Sequence, residues 1–128
     1  IYGPGRNVLE DLKSGKTQRI FKEDVLFSRI HVKDVAQALN ASIKAPHPGR
    51  IYNLADNEPA PPHEVVAYGA GLLGMDPPSL IPFEEASLTP MGRSFYQDSK
   101  RVKNDCLLSE LVPSLIFPTY REGLRYGV

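Results

Sequence analysis

The sequence has little cysteine: one residue, Cys106, in a chain of 128. A single thiol excludes an internal disulfide framework and suits a reducing compartment, so the cytoplasm is the expected location. It also lacks an excess of charge of either sign, because 15 basic side chains cancel 15 acidic ones. That balance removes any electrostatic reason to expect nucleic acid or an anionic membrane as partner. No apolar run approaches the roughly 20 residues of a membrane span, and the N-terminus shows no signal-peptide pattern.

What is plentiful is proline: twelve residues, eight of them gathered at Pro46/Pro48, Pro59/Pro61/Pro62 and Pro77/Pro78/Pro82. Apolar periodic segments lie between the clusters, so the prolines divide a folded chain into short elements. At this length the sequence buries one core, not two. It opens on Ile1-Tyr2-Gly3-Pro4-Gly5-Arg6, a rigid turn of the kind that ends a buried strand, with almost no strand before it. The expectation is a portion of a larger protein.

Three segments share one capping pattern: Asn7-x-x-Glu10, Asp34-x-x-Gln37 and Thr119-x-x-Glu122. The first predicts a short helix with Val8, Leu9 and Leu12 inward, stopped by Gly15. The second predicts a longer helix with Val35, Ala38, Leu39 and Ile43 at i, i+3, i+4 spacing, ending before Pro46. The third carries Tyr120 and Leu124 to the C-terminus. A fourth helix runs from Pro61 to Gly74 and is apolar almost all round, which predicts cover on more than one side. A fifth starts after Ser99 and buries Val102, Cys106, Leu107 and Leu111. Strand candidates are Gln18–Phe21, Phe27–Val32 and Arg50–Leu54. The order is α/β in character, with too few strands for a complete doubly wound sheet.

Two motifs fail on context. Gly69-Ala70-Gly71-Leu72-Leu73-Gly74 matches GxGxxG, but Pro77-Pro78 follow where a dinucleotide site needs a helix. Its plain reading is a packed helix that ends at Gly74. Tyr96-Gln97-Asp98-Ser99-Lys100 matches YxxxK, but Ser99 reads as a cap and leaves Tyr96 outside the helix, so the two side chains lose a common face. His31, His47 and His63 have no sequence-near partners at ligand spacing, which argues against a metal site. His31, in an alternating segment, reads as a hydrogen-bonded structural residue or a substrate contact.

Four segments together resemble the C-terminal portion of the extended short-chain dehydrogenases/reductases, the NAD-dependent epimerase/dehydratase family. They are Tyr2-Gly3-Pro4-Gly5, Arg29-Ile30-His31-Val32-Lys33-Asp34-Val35-Ala36, Ile51-Tyr52-Asn53-Leu54, and Ser99-Lys100-Arg101. The ending Phe117 to Leu124 is similar to the closing helix of an atypical branch of that family. The resemblance implies an incomplete Rossmann-type α/β fold, with Ile51–Leu54 as a late strand of its sheet. It implies that residues 1–128 form a single domain, the C-terminal substrate-binding lobe of an NAD(P)-dependent epimerase, dehydratase or reductase.

On that reading NAD or NADP belongs to the full-length enzyme and none is expected on this segment, which also holds no catalytic residue. The substrate contacts it implies are Tyr2, Gly3, Pro4, Gly5, Arg6, Arg29, His31 and Arg93. Arg29 presents a planar fork that suits a phosphate or carboxylate, and Arg93 lies in the Pro90-Met91-Gly92 loop. The expected partner is a small molecule, a sugar or another anionic metabolite. A second expectation, of a different class, is a stand-alone binding module without chemistry. In either case the apolar stripe Val65–Leu73, stripped of its sheet, is expected to drive homo-oligomer formation.

Overall fold

A computed structural model describes residues 1–128, and its architecture is mostly helical. In chain order the elements are α1 (Val8–Lys13), β1 (Arg19–Phe21), α2 (Val32–Lys44), α3 (Pro62–Leu72), β2 (Leu80–Pro82), α4 (Pro90–Ser94) and α5 (Tyr120–Tyr126), with a 3-10 turn at Phe83–Glu85 and a π-turn at Leu107–Leu111. The only sheet is β1 and β2, parallel, with Ile20 opposite Ile81.

That sheet corrects the Rossmann-type expectation. Two strands of three residues offer no strand–loop–helix unit for a dinucleotide, and α3 runs through the glycine motif instead. Ile51–Leu54 is not a strand: it has no ladder partner, and Ile51 is 81% exposed. Phe27–Val32 is likewise reduced to isolated bridges, Phe27 with Ala60 and Tyr2 with His31. The fifth expected helix does not begin at Ser99, whose hydroxyl accepts from the Leu26 N–H (3.0 Å). Helical structure there starts only at Asp105 and continues as the π-turn.

Two of the caps form locally. Asn7 Oδ1 accepts from Leu9 N and Glu10 N (2.8 and 3.1 Å), and its Nδ2 donates back to Gly3 O (2.8 Å). Thr119 and Glu122 make a reciprocal capping box. The third differs. α2 is capped by His31, whose Nδ1 accepts from Lys33 N (3.1 Å), and Asp34 falls inside the first turn. There it is fully buried, and its two oxygens accept from Ile116 N (2.6 Å) and Phe117 N (3.1 Å).

Two five-residue centres dominate the core, and Leu12, Val66 and Ala70 form a smaller third between α1 and α3. One of the larger two packs Leu9, Val65, Tyr120 and Leu124, joining α1, α3 and α5. The other packs Ile30, Ala38, Leu107 and Leu115, joining α2 to the π-turn. Gly69 is where α3 meets α1 closely, since a Cβ there would lie 2.9 Å from Val8 Cγ1. The exposed stripe expected over Val65–Leu73 is corrected by the same packing, because Val65, Val66 and Ala70 are buried. The unburied apolar residues of α2, Val32, Leu39 and Ile43, stand on its outer side at helical spacing. No helix is long and apolar enough to cross a membrane.

Asp34 therefore carries a stability prediction. Asp34→Ala leaves two amide donors without an acceptor and should lower unfolding free energy by about 3 kcal/mol, with Asp34→Asn intermediate. Urea denaturation midpoints measure this, and a neutral Asp34→Ala would show that water replaces the carboxylate.

Candidate functional site

The turn at Gly3-Pro4-Gly5 closes on itself through Gly3 N to Arg6 O (3.0 Å) and Arg6 N to Gly3 O (3.1 Å). Gly5 takes φ 75°, a conformation glycine adopts without strain. Just before the turn, Tyr2 pairs with the segment entering α2: its N–H donates to Ile30 O (3.1 Å) and its carbonyl accepts from Val32 N (2.8 Å). No side chain fits at Gly3, where a Cβ would come 2.6 Å from Val32 Cγ1. The backbone of the turn is thereby held against α2, and the Tyr2 ring is directed towards α5. The ring rests on Gly123, where a Cβ would collide with the Tyr2 hydroxyl.

Tyr2 becomes a wall between two hollows. On one side lies a cleft of about 290 Å³, with the Gly3–Gly5 turn, Asn7, Glu10 and His31 facing Gly123 and Tyr126. His31 is 1% exposed and meets the Tyr2 ring edge-on at 5.1 Å between centroids. Burial holds its imidazole below the ordinary value, with the charge of Asp34 opposing that shift. Since Nδ1 accepts from Lys33, the neutral ring carries its proton on Nε2, the nitrogen nearest Gly3.

On the other side is a crevice of about 60 Å³ between Tyr2, Val8, Arg29, Val65, Tyr120 and Leu124. Arg29 is fixed by Nη1, which donates to Phe27 O (3.0 Å) and Ala60 O (3.2 Å) across the isolated bridge. Burial lowers its pKa, and Asp56 pulls it back up. Asp56 itself is 2% exposed; Oδ1 accepts from Glu58 N (2.9 Å) while Oδ2 has no partner. The hydroxyls of Tyr2 and Tyr120 are buried and unpartnered as well. Burial, reinforced by Asp56, pushes the Tyr2 phenol well above its usual range, so it stays a hydrogen-bond donor.

The structure thus brings Tyr2, Gly3, Pro4, Gly5 and His31 to one cleft, and Arg29 with Tyr2 to the neighbouring crevice. Arg6 lines neither hollow. Nor does Arg93, whose guanidinium lies 4.8 Å from the Phe83 ring centroid. Asp56, Tyr120, Gly123 and Tyr126 were not among the expected contacts. Asp56 lies in Ala55-Asp56-Asn57, residues that favour a turn, and nothing local signals its burial. Tyr96 and Lys100 lie outside any helix, and no group of three or more His, Cys, Asp or Glu residues is placed to hold a metal ion.

Asp56 generates a pH prediction. Burial pushes its carboxyl up from 3.8 to about 6, so the folded state binds this proton more tightly than the unfolded chain does. The group's contribution to stability is complete below the unfolded value and is lost as pH rises through about 6. Asp56→Asn cannot ionise, and its advantage over the parent should grow between about pH 4 and about pH 7, to at most about 3 kcal/mol. Denaturant titrations at several pH values read this directly; a constant difference would contradict it.

No protein-family model matches the chain, and no curated protein matches it. A solved structure does: a functionally unknown conserved protein from Silicibacter pomeroyi DSS, 48% identical, aligned over 98% of this chain with a TM-score of 0.90. The chain spans 44% of the length of that protein. This corrects the resemblance to the epimerase/dehydratase family and with it the expectation of an NAD(P)-dependent enzyme. The likeness along nearly the whole chain is to a protein of unknown function, and the NAD or NADP expectation also lacks the cofactor-binding loop in the fold.

Proposed function

We propose that this chain binds a hydroxylated small molecule, a sugar or polyol, in the cleft beside the Gly3–Gly5 turn. The observation that carries the reading is a cleft of about 290 Å³ whose largely apolar wall is set with a few polar groups: the turn backbone, the Glu10 carboxylate and the protonated edge of a buried His31. Those groups mix donors and acceptors, as a hydroxyl needs, and the rings of Tyr2 and Tyr126 offer faces for C–H contact. The volume lies near the lower end of ligand pockets. Binding requires no chemistry, and no reaction is assigned.

Glu10→Ala tests this. Glu10 is exposed, and its pair with Lys13 (3.3 Å) is of the surface kind that adds little stability. The variant should keep the parent's urea midpoint and bind a monosaccharide about tenfold more weakly. Amide shifts at Gly3, Gly5 and Gly127 report the site. Saturable shifts elsewhere, or none with any monosaccharide, would reject the reading.

For a protein partner we infer a second copy of the chain, met through the outer stripe of α2. Val32, Leu39 and Ile43 are 43%, 58% and 78% exposed, and they present one identical apolar row on each copy, which suits a two-fold contact. Ile43→Lys should shift sedimentation towards monomer, whereas a parent that stays monomeric across a concentration series would rule the contact out. Cytoplasmic residence is the location we infer, on the strength of the exposed, free thiol of Cys106.

A further inference from the structure

The crevice beside Arg29 is short of acceptors. A guanidinium carries five N–H donors. Arg29 directs Nη1 to Phe27 O and Ala60 O, while Nε and Nη2 make no hydrogen bond, and no carboxylate lies within ion-pair distance of the group. The same crevice is walled by Tyr2 and Tyr120, whose buried hydroxyls have no partner, and Tyr120 is 1% exposed. Buried hydroxyls without partners cost free energy, so a site that keeps two of them beside the free, half-buried edge of a guanidinium is matched to something that supplies oxygen lone pairs.

Nothing in the protein supplies them there. Asp56, the nearest carboxylate by its influence on Arg29, does not line the crevice. The remaining walls are Val8, Val65 and Leu124, which offer only apolar contact. The volume, about 60 Å³, restricts the occupant to a small molecule.

We propose that this crevice binds the carboxylate of a short aliphatic acid, with one oxygen on the free edge of Arg29 and the other on the tyrosine hydroxyls. Carboxylate matches the site in three ways. It has only acceptors, its two oxygens lie in one plane as the guanidinium edge does, and a short alkyl tail fits against Val8, Val65 and Leu124. Phosphate is a poorer match, because its further oxygens and second charge would face apolar walls. The proposal shares the Tyr2 wall with the sugar cleft but stands on separate groups, so either can fail alone.

The test is a methyl- and amide-detected NMR titration of the chain with acetate, propionate and butyrate, with inorganic phosphate as control at constant ionic strength. Butyrate should give saturable shifts at the methyls of Val8, Val65 and Leu124. Tyr120→Phe is the decisive variant. It removes a hydroxyl that has no partner, so thermal stability should hold or rise, while butyrate affinity should fall about tenfold. Arg29→Gln should abolish binding; its melting curve checks folding, because Nη1 also serves two carbonyls. Three results would overturn the proposal: no saturable methyl shift, equal butyrate affinity in Tyr120→Phe, or phosphate binding as tightly as butyrate. The first would leave ordered water as the occupant. A monosaccharide titration of Tyr120→Phe should be unaffected, which separates failure of this site from failure of the cleft.

Discussion

Asp34 has no exposed surface, and both of its oxygens are taken by backbone amides of Ile116 and Phe117, so the first turn of α2 and the approach to α5 cannot part without stranding a buried carboxylate and two N–H groups. Much of the molecule follows from that clamp. It seats Phe117 against His31 at 4.2 Å between ring centroids, and it fixes where Thr119 starts α5. α5 in turn presents Gly123 to the Tyr2 ring. The two larger core centres, one around α3 and one around α2, are therefore connected through a short polar contact and an aromatic row of Tyr2, His31 and Phe117, rather than through a shared sheet.

The same row explains why His31 is better suited to hold than to react. Its Nδ1 is committed to the helix cap, and burial disfavours the imidazolium. A proton-transfer role would need that nitrogen free or the ring charged, and the cap forbids the first while the aromatic surroundings oppose the second. What remains available is a fixed N–H at the cleft floor, a directional donor whose position is set by α2. Arg29 behaves in a parallel way: two carbonyls fix one end of its fork, so the other end is offered at a defined angle. Both groups are positioned by backbone, which is the arrangement binding requires.

How much of this could be read in the sequence depends on range. Asn7 and Thr119 were legible because a cap is settled within four residues. Asp34 carries the same local pattern, yet its carboxylate is drawn to amides more than eighty positions away, and the histidine three residues earlier takes the cap instead. Phe27–Val32 alternates as strands do, but alternation states only which faces differ; without a neighbour the ladder does not form, and Ile51–Leu54 has no neighbour either. The real second strand, Leu80–Pro82, was invisible among prolines, since a three-residue edge strand can tolerate Pro82 at its end. In the site, the glycine turn was readable from backbone chemistry, whereas Tyr2 was expected only through the resemblance. Asp56, Tyr120 and Gly123 were not readable, because their importance lies in burial that distant segments impose.

Tyr2 shows what that mixture of local and distant causes produces. Its main chain is fixed by two hydrogen bonds to the strand-like entrance of α2, and its side chain is fixed by the absence of a side chain at Gly123. A larger residue at Gly123 would move the ring, and with it the partition between the cleft and the crevice at Arg29. A ligand that tilted the ring from one hollow would change the width of both. The two spaces share one side-chain wall, and the sign of any coupling follows from geometry: a ligand pressing the ring from the cleft would narrow the crevice, so the two ligands should oppose each other.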